Sequence, residues 1–285
     1  MQFLDPLRSK LGLSRSATVD LMLLNVLVFI ATGLLGLIPI TRPLVDLLRL
    51  RPEWDALLGQ PWSLLSYIFL HAGFMHLLGN MLWLYFIGTI LEDLIGRQHV
   101  FRLFLFGGLA GGILFVLCYN LIPMFAQQTL LPMVGASGGV TAIIVAAASF
   151  RPTYTIYLFG VLPIQLRWIA LFRVLTDLAG LGDGMNDGGQ LAHLGGAAFG
   201  LLYALNLKGT LPSWMQFSLP KRTKKPKRSH QVWINTPERN ANPGRPKTSK
   251  PNQAEIDAIL DKINRSGYQS LSEEEKQTLF RASSD

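Results

Sequence analysis

Ser137 in Gly135-Ala136-Ser137-Gly138 and His193 in Ala192-His193-Leu194-Gly195-Gly196 stand at the edges of two separate apolar runs. A serine hydroxyl becomes a nucleophile when a base takes its proton, and an imidazole is the side chain best suited to do so near neutral pH. Ionisable groups inside hydrocarbon cost about 2.5–3.5 kcal/mol on insertion scales, so each needs a reason to be there. Taken singly, both residues have structural explanations. Gly and Ser let membrane helices approach closely, and a buried His can be a hydrogen-bonded packing group.

Other residues raise the chemical reading above the structural one. His76 and Asn80 are four apart, on one face of a helix. With the Ser137 backbone N–H they could stabilise the oxyanion that forms during acyl transfer, a service worth about 2.7–4 kcal/mol per donor in a soluble protease. Gly135 and Gly138 flank the serine and leave room for a turn and an approaching backbone. Gly196 and Gly200 follow His193 by three and seven residues, so they share its side of the helix and allow a neighbouring helix to come close.

No Asp or Glu stands where it would orient His193, and a Ser-His dyad is the economical expectation. Arg173 and Asp177, four apart, read as an intrahelical ion pair, and Asp187 as a solvated loop residue. Zinc bound by His71, His76 and His193 is the chemical rival. It lacks a His-Glu-x-x-His pair and a carboxylate base, so no metal or other cofactor is expected and His71 is assigned to the loop. The single cysteine, Cys118, excludes an intrachain disulfide and reads as a small packing residue.

The elements that must position these groups are membrane helices. Of 285 residues, 49% are hydrophobic and 15% charged, well below the charge of a soluble domain, and mean hydropathy is +0.31. Apolar runs near the roughly 20 residues needed for a crossing fall at about 20–40, 74–95, 101–123, 136–150, 167–182 and 190–207. The fourth and fifth are short, as expected for spans enclosed by protein. Residues 151–160 read as a short extended stretch at the membrane surface. The first run lacks a cleavage site and reads as a retained helix.

Arg8, Lys10, Arg15, Arg97, Arg102, Arg151, Arg167 and Lys208 all fall on one side of a six-span arrangement, which puts both termini in the cytoplasm. The same arrangement brings His76, Asn80, Ser137 and His193 to one depth in the outer half of the bilayer. That depth follows from the span ends and the Lys/Arg distribution and not from the identities of these four residues, so the match is independent support for one site.

Four segments follow: 1–19, a cytoplasmic N-terminal segment; 20–208, the membrane domain; 209–251, a basic disordered linker; and 252–285, a small helical hairpin. The Lys/Arg-rich run at 221–250 suits an anionic lipid surface and carries no nucleic-acid motif. Ile256, Ile259, Leu260 and Ile263 form a helical stripe, and Ser272 with Glu275 fits a capping box. The absence of an internal repeat or charged pathway disfavours a small-molecule transporter.

The series His71-x4-His76-x3-Asn80, Gly135-Ala136-Ser137-Gly138 and Ala192-His193-x2-Gly196-x3-Gly200 resembles the rhomboid family of intramembrane serine proteases, and Trp62 also matches. The resemblance spans roughly residues 20–207. It implies an all-α, polytopic six-transmembrane-helix bundle with a cytoplasmic C-terminal tail. Ser137 would be the nucleophile, His193 the general base, and His76, Asn80 and the Ser137 amide the oxyanion donors. It also implies a water-filled cavity open to the extracytoplasmic side, where single-span membrane proteins would be cut. The membrane expected is the bacterial cytoplasmic (inner) membrane. Two positions depart from the family pattern: Ser63 stands where an Arg often follows the tryptophan, and Thr141 where a Tyr often stacks on the histidine.

Overall fold

The computed structural model describes residues 16–126, 132–158, 160–182, 186–216 and 253–283. Two compact units, Met1–Pro220 and Lys221–Asp285, make up the chain. The basic run at 221–250 and the N-terminal Arg8, Lys10 and Arg15 lie outside the described residues.

Six long helices follow the apolar runs in order: α1 (Ala17–Leu37), α2 (Phe74–Ile95), α3 (Arg97–Leu121), α4 (Ser137–Phe150), α5 (Leu166–Gly180) and α6 (Asp187–Leu207). Of these, α1, α2 and α3 are long and apolar enough to cross a bilayer by length and composition. The break between α2 and α3 falls at Gly96, whose φ of +91° favours glycine. A two-stranded antiparallel hairpin, β1 (Thr155–Leu158) and β2 (Leu162–Gln165), joins α4 to α5, with Thr155 opposite Gln165 and Leu158 opposite Leu162. The extended stretch at 151–160 is thus the first half of a hairpin, and the fold is not purely helical.

The centre of the first unit is α4, every residue of which from Gly138 to Ala148 is buried. Its small side chains let α3 and α6 reach its backbone. A Cβ on Gly139 would collide with the Phe104 carbonyl, one on Gly196 with the Gly138 carbonyl, and one on Gly200 with the Ala142 carbonyl. The α3–α6 contact has the same character, with the Ala110 carbonyl oxygen 2.7 Å from where a Gly195 Cβ would stand. Backbones this close can be tightly packed only where side chains are missing.

The expectation that both short spans are enclosed by protein holds for α4 and fails for α5. Only Leu166, Ile169 and Asp177 of α5 are buried, while Leu171, Leu175 and Leu178 are exposed along its outer face. One side of α5 packs on α4 and α6 and the other is an apolar surface suited to lipid.

In the second unit, α7 (Gln253–Ser266) and α8 (Glu273–Ser283) form a helical hairpin. Its capping box is made reciprocally: the Ser272 N–H donates to Glu275 at 2.7 Å, and the Glu275 N–H to the Ser272 hydroxyl at 3.3 Å. Lys262 Nζ lies 2.8 Å from the same carboxylate. Ile259 and Leu271 are buried between the helices.

Candidate active site

Ser137 is the first residue of α4, where backbone N–H groups have no acceptor within the helix and the helix dipole is positive. The loop before it is held at two points. Leu50 and Met133 exchange backbone hydrogen bonds of 3.1 and 2.7 Å, and the Gly135 N–H donates to the Tyr67 carbonyl at 2.9 Å. Gly135 is not a helix-packing glycine like Gly138, Gly196 and Gly200: it lies in this loop, outside the helix. Its φ is +141°, and a Cβ there would stand 3.0 Å from His76 Nε2 and 3.5 Å from Ser137 Oγ. The missing side chain is what lets the imidazole and the hydroxyl share that space. Gly138, Gly196 and Gly200 do lie between helices.

His76 is in the first turn of α2, and its Nδ1 accepts the Ala72 N–H at a long 3.4 Å. A neutral imidazole with Nδ1 accepting carries its proton on Nε2, the nitrogen facing Gly135 and Ser137. Asn80, one turn further and buried, donates one N–H to the His76 carbonyl at 3.1 Å. Its second N–H remains for the space it lines. His71 packs edge-on against His76, with ring centroids 5.2 Å apart. Burial, assisted by His76, pushes the His71 pKa down to about 4.

His193 is buried in α6, next to Ala192, whose carbonyl oxygen lies 3.1 Å from where a Gly138 Cβ would stand. The residue after the serine therefore abuts the residue before the histidine. Ser137, His193, His76, Asn80, Thr141 and Arg173 line one cavity of about 1200 Å³.

The intrahelical Arg173–Asp177 ion pair is present, with Nε 3.3 Å from Oδ2 though without the alignment of a hydrogen bond, but two other readings of nearby acids are overturned. Asp177 is not occupied with Arg173 alone: its Oδ1 lies 2.9 Å from His193 Nδ1. An acid that orients His193 therefore exists, supplied by α5. Asp187 is buried, not solvated, and its Oδ1 accepts the Gly182 N–H at 2.8 Å, where the start of α6 favours a negative charge.

The Rhomboid domain family matches residues 58–209, more than half of the chain. The chain is a member of the rhomboid family. A family of unknown function, DUF6576, matches residues 247–285, the hairpin of the second unit. RHOMBOID-like protein 12, mitochondrial, of Arabidopsis thaliana is 28% identical over 49% of this chain and 44% of its own length. Rhomboid protein 1, mitochondrial, of Saccharomyces cerevisiae is 34% identical over 50% of this chain and 40% of its own. RHOMBOID-like protein 2 of Arabidopsis thaliana is 43% identical over 31% of this chain and 26% of its own. This rhomboid thus spans less than half the length of these relatives. They are eukaryotic, two of them named mitochondrial, so they lend nothing to the expected bacterial inner membrane; the assignment that stands is to a membrane.

In this rhomboid the loop after α1 is anchored without an Arg beside the tryptophan. The Trp62 indole N–H donates to the Leu47 carbonyl at 2.9 Å, the Ser66 hydroxyl donates to the Leu48 carbonyl at 2.7 Å, and Ser63 is buried. The Asp177 contact had a signal in the sequence. A carboxylate inside an apolar run needs a partner, and so does the second nitrogen of a buried histidine.

Proposed function

We propose that this rhomboid is an intramembrane serine endopeptidase that cuts single-span membrane proteins through a covalent acyl-enzyme. The observation that carries the reading is one cavity lined at once by the helix-start hydroxyl of Ser137, the buried imidazole of His193 and the donors His76 and Asn80. In the reaction, the Ser137 hydroxyl proton passes to His193 Nε2 as Oγ bonds to the scissile carbonyl carbon. The carbonyl oxygen becomes an oxyanion, within reach of the Ser137 N–H, His76 Nε2–H and Asn80 Nδ2–H. Collapse breaks the C–N bond, and the leaving amine takes the proton from Nε2. Water then gives a proton to Nε2, attacks the acyl carbon, and releases the acid as Ser137 recovers its hydrogen.

All six long helices cross the bilayer in this reading, with both termini cytoplasmic and cleavage near the extracytoplasmic side. The polar side chains at the start of α2, α4 and α6 then share one depth. The basic run at 221–250 holds the C-terminal unit to anionic lipid. Deletion of residues 210–285 tests that part: unchanged lipid sensitivity removes it.

Cleavage of a model single-span substrate in liposomes tests the chemistry, comparing wild type with Ser137→Ala and His193→Ala. Both variants should lose cleavage, and a fluorophosphonate should label wild type at Ser137. Undiminished cleavage by both variants would discard the dyad. A wild type that binds the substrate helix without cutting it would leave a non-catalytic helix-binding protein in its place.

A further inference from the structure

We propose that Asp177 is a positioning residue for the hydrolytic step, the third member of a Ser137-His193-Asp177 relay. The proposal rests on the dyad reading above. It starts from a contact between two buried groups on different helices: Asp177 on α5 and His193 on α6 are each 6% exposed, with Oδ1 2.9 Å from Nδ1.

An ionised carboxylate only accepts hydrogen bonds, so the imidazole proton must sit on Nδ1. The lone pair is then on Nε2, the nitrogen that has to accept the proton of Ser137. A histidine without such a partner could hold the other tautomer or rotate its ring, and in either state it could not act as the base. As Oγ bonds to the substrate carbon and its proton moves to Nε2, the imidazole becomes an imidazolium. Its Nδ1–H stays where it is, and the new positive charge faces a carboxylate already in place. No proton passes to Asp177.

Arg173 adjoins both groups: its charge pairs with Asp177 and opposes a charge on the imidazole, so the carboxylate is the group that offsets the imidazolium. The guanidinium Nε stands 3.3 Å from the other oxygen of Asp177, so the acid is not an isolated charge in a buried site. Its Nη2 is 2.7 Å from His193 Nδ1 and 2.8 Å from Nε2. A donor aligned with one ring lone pair would be far from the other nitrogen, so near-equal distances put the guanidinium against the ring and not in line with Nε2. Arg173 thus covers the imidazole, the task that the family resemblance gives to a Tyr at the position of Thr141. Thr141 is buried, lines the same cavity and is too short to cover the ring itself.

Steady-state cleavage of a single-span substrate by the full chain in liposomes tests this, with Asp177→Asn, Asp177→Glu and Ser137→Ala beside wild type. Asp177→Asn should lower kcat by at least about 10²-fold, against about 10⁴-fold for the same change in soluble triads, with KM changed by less than about threefold. Asp177→Glu restores the charge at a shifted position and should recover at least about tenfold over Asn. A residue needed only for packing would not give this split or this rescue.

An Asn variant that keeps its thermal transition and a kcat within about threefold of wild type overturns the proposal. Where the Asn variant unfolds, Asp177→Asn combined with Arg173→Gln removes both charges together and is judged by the same kcat criterion. Ser137→Ala separates the two claims. If it is inactive while Asp177→Asn is fully active, only the relay fails; if it cleaves normally, the nucleophile fails first.

Discussion

The helices at the centre of the membrane unit and those at its rim are held by opposite means. Where α3, α4 and α6 meet, side chains are removed: Gly139, Gly195, Gly196 and Gly200 each bring one backbone against another. The rim helices keep their side chains, pack apolar residues such as Leu21 and Ile169 on the core, and add a few polar attachments. The carboxylate of Glu92, in the last turn of α2, accepts the Ala17 and Thr18 N–H groups and the hydroxyls of Ser16 and Thr18, all at 2.8–3.0 Å. It thereby satisfies the orphan donors at the start of α1. On the other flank, α5 reaches α6 through Asp177. Ser137 and His193 belong to the closely packed part, whereas the carboxylate in contact with the imidazole comes from a helix with one open face.

Breaking the centre should have the largest effect. Gly196→Val drives a branched side chain into the Gly138 carbonyl, at the upper end of the overpacking range or beyond it, about 3 kcal/mol or more. A thermal transition in detergent would register it, with cleavage lost alongside; a transition unchanged within a degree would show that α4 and α6 can separate freely. Breaking the α1 attachment comes next. Glu92→Ala leaves four donors without their charged acceptor and should lower stability by about 2 kcal/mol, with the helices of the centre still folded by circular dichroism.

The same contrast explains what the sequence reveals. The centre is legible because its rules are local: apolar run length gives the helices to within a few residues, and spacings of three, four and seven put His76 with Asn80 and His193 with Gly196 and Gly200. The rim is less so. Arg173 and Asp177 look self-sufficient at four residues apart, and whether Asp177 meets its own helix or another depends on the rotation of α5 about its axis, which its mostly apolar surface does not encode. Asp187 looks like a loop acid because the start of α6 has no hydrophobic boundary. The residues proposed to act on substrate are readable, while their partner on the flanking helix needs tertiary geometry.

A third prediction concerns the loop that leads into α2, between centre and rim. His71 has a pKa of about 4 in the folded chain against about 6.5 when exposed, because burial and His76 disfavour its charge. A lowered histidine pKa means that the unfolded chain takes up the proton first. Stability is therefore full above about pH 6.5 and declines as pH falls from there to about 4. After allowance for solvent screening, the loss is on the order of 1–2 kcal/mol. His71→Phe should flatten that part of the pH–stability curve, and an unchanged slope would assign it to other groups.

The smallest effect should come from the open face of α5. Leu175 and Leu178 are 53% and 51% exposed, and neither lines the cavity. Truncating either to Ala removes a side chain that is half exposed on an outer face, so stability should change by no more than about 1 kcal/mol. Cleavage and KM should stay near wild type. If instead Leu175→Ala lowered kcat as Asp177→Asn is expected to, the outer face of α5 would be setting the position of its inner one. The rim would then be as tightly specified as the centre, and the contrast between glycine-packed and polar-anchored helices would no longer describe this membrane unit.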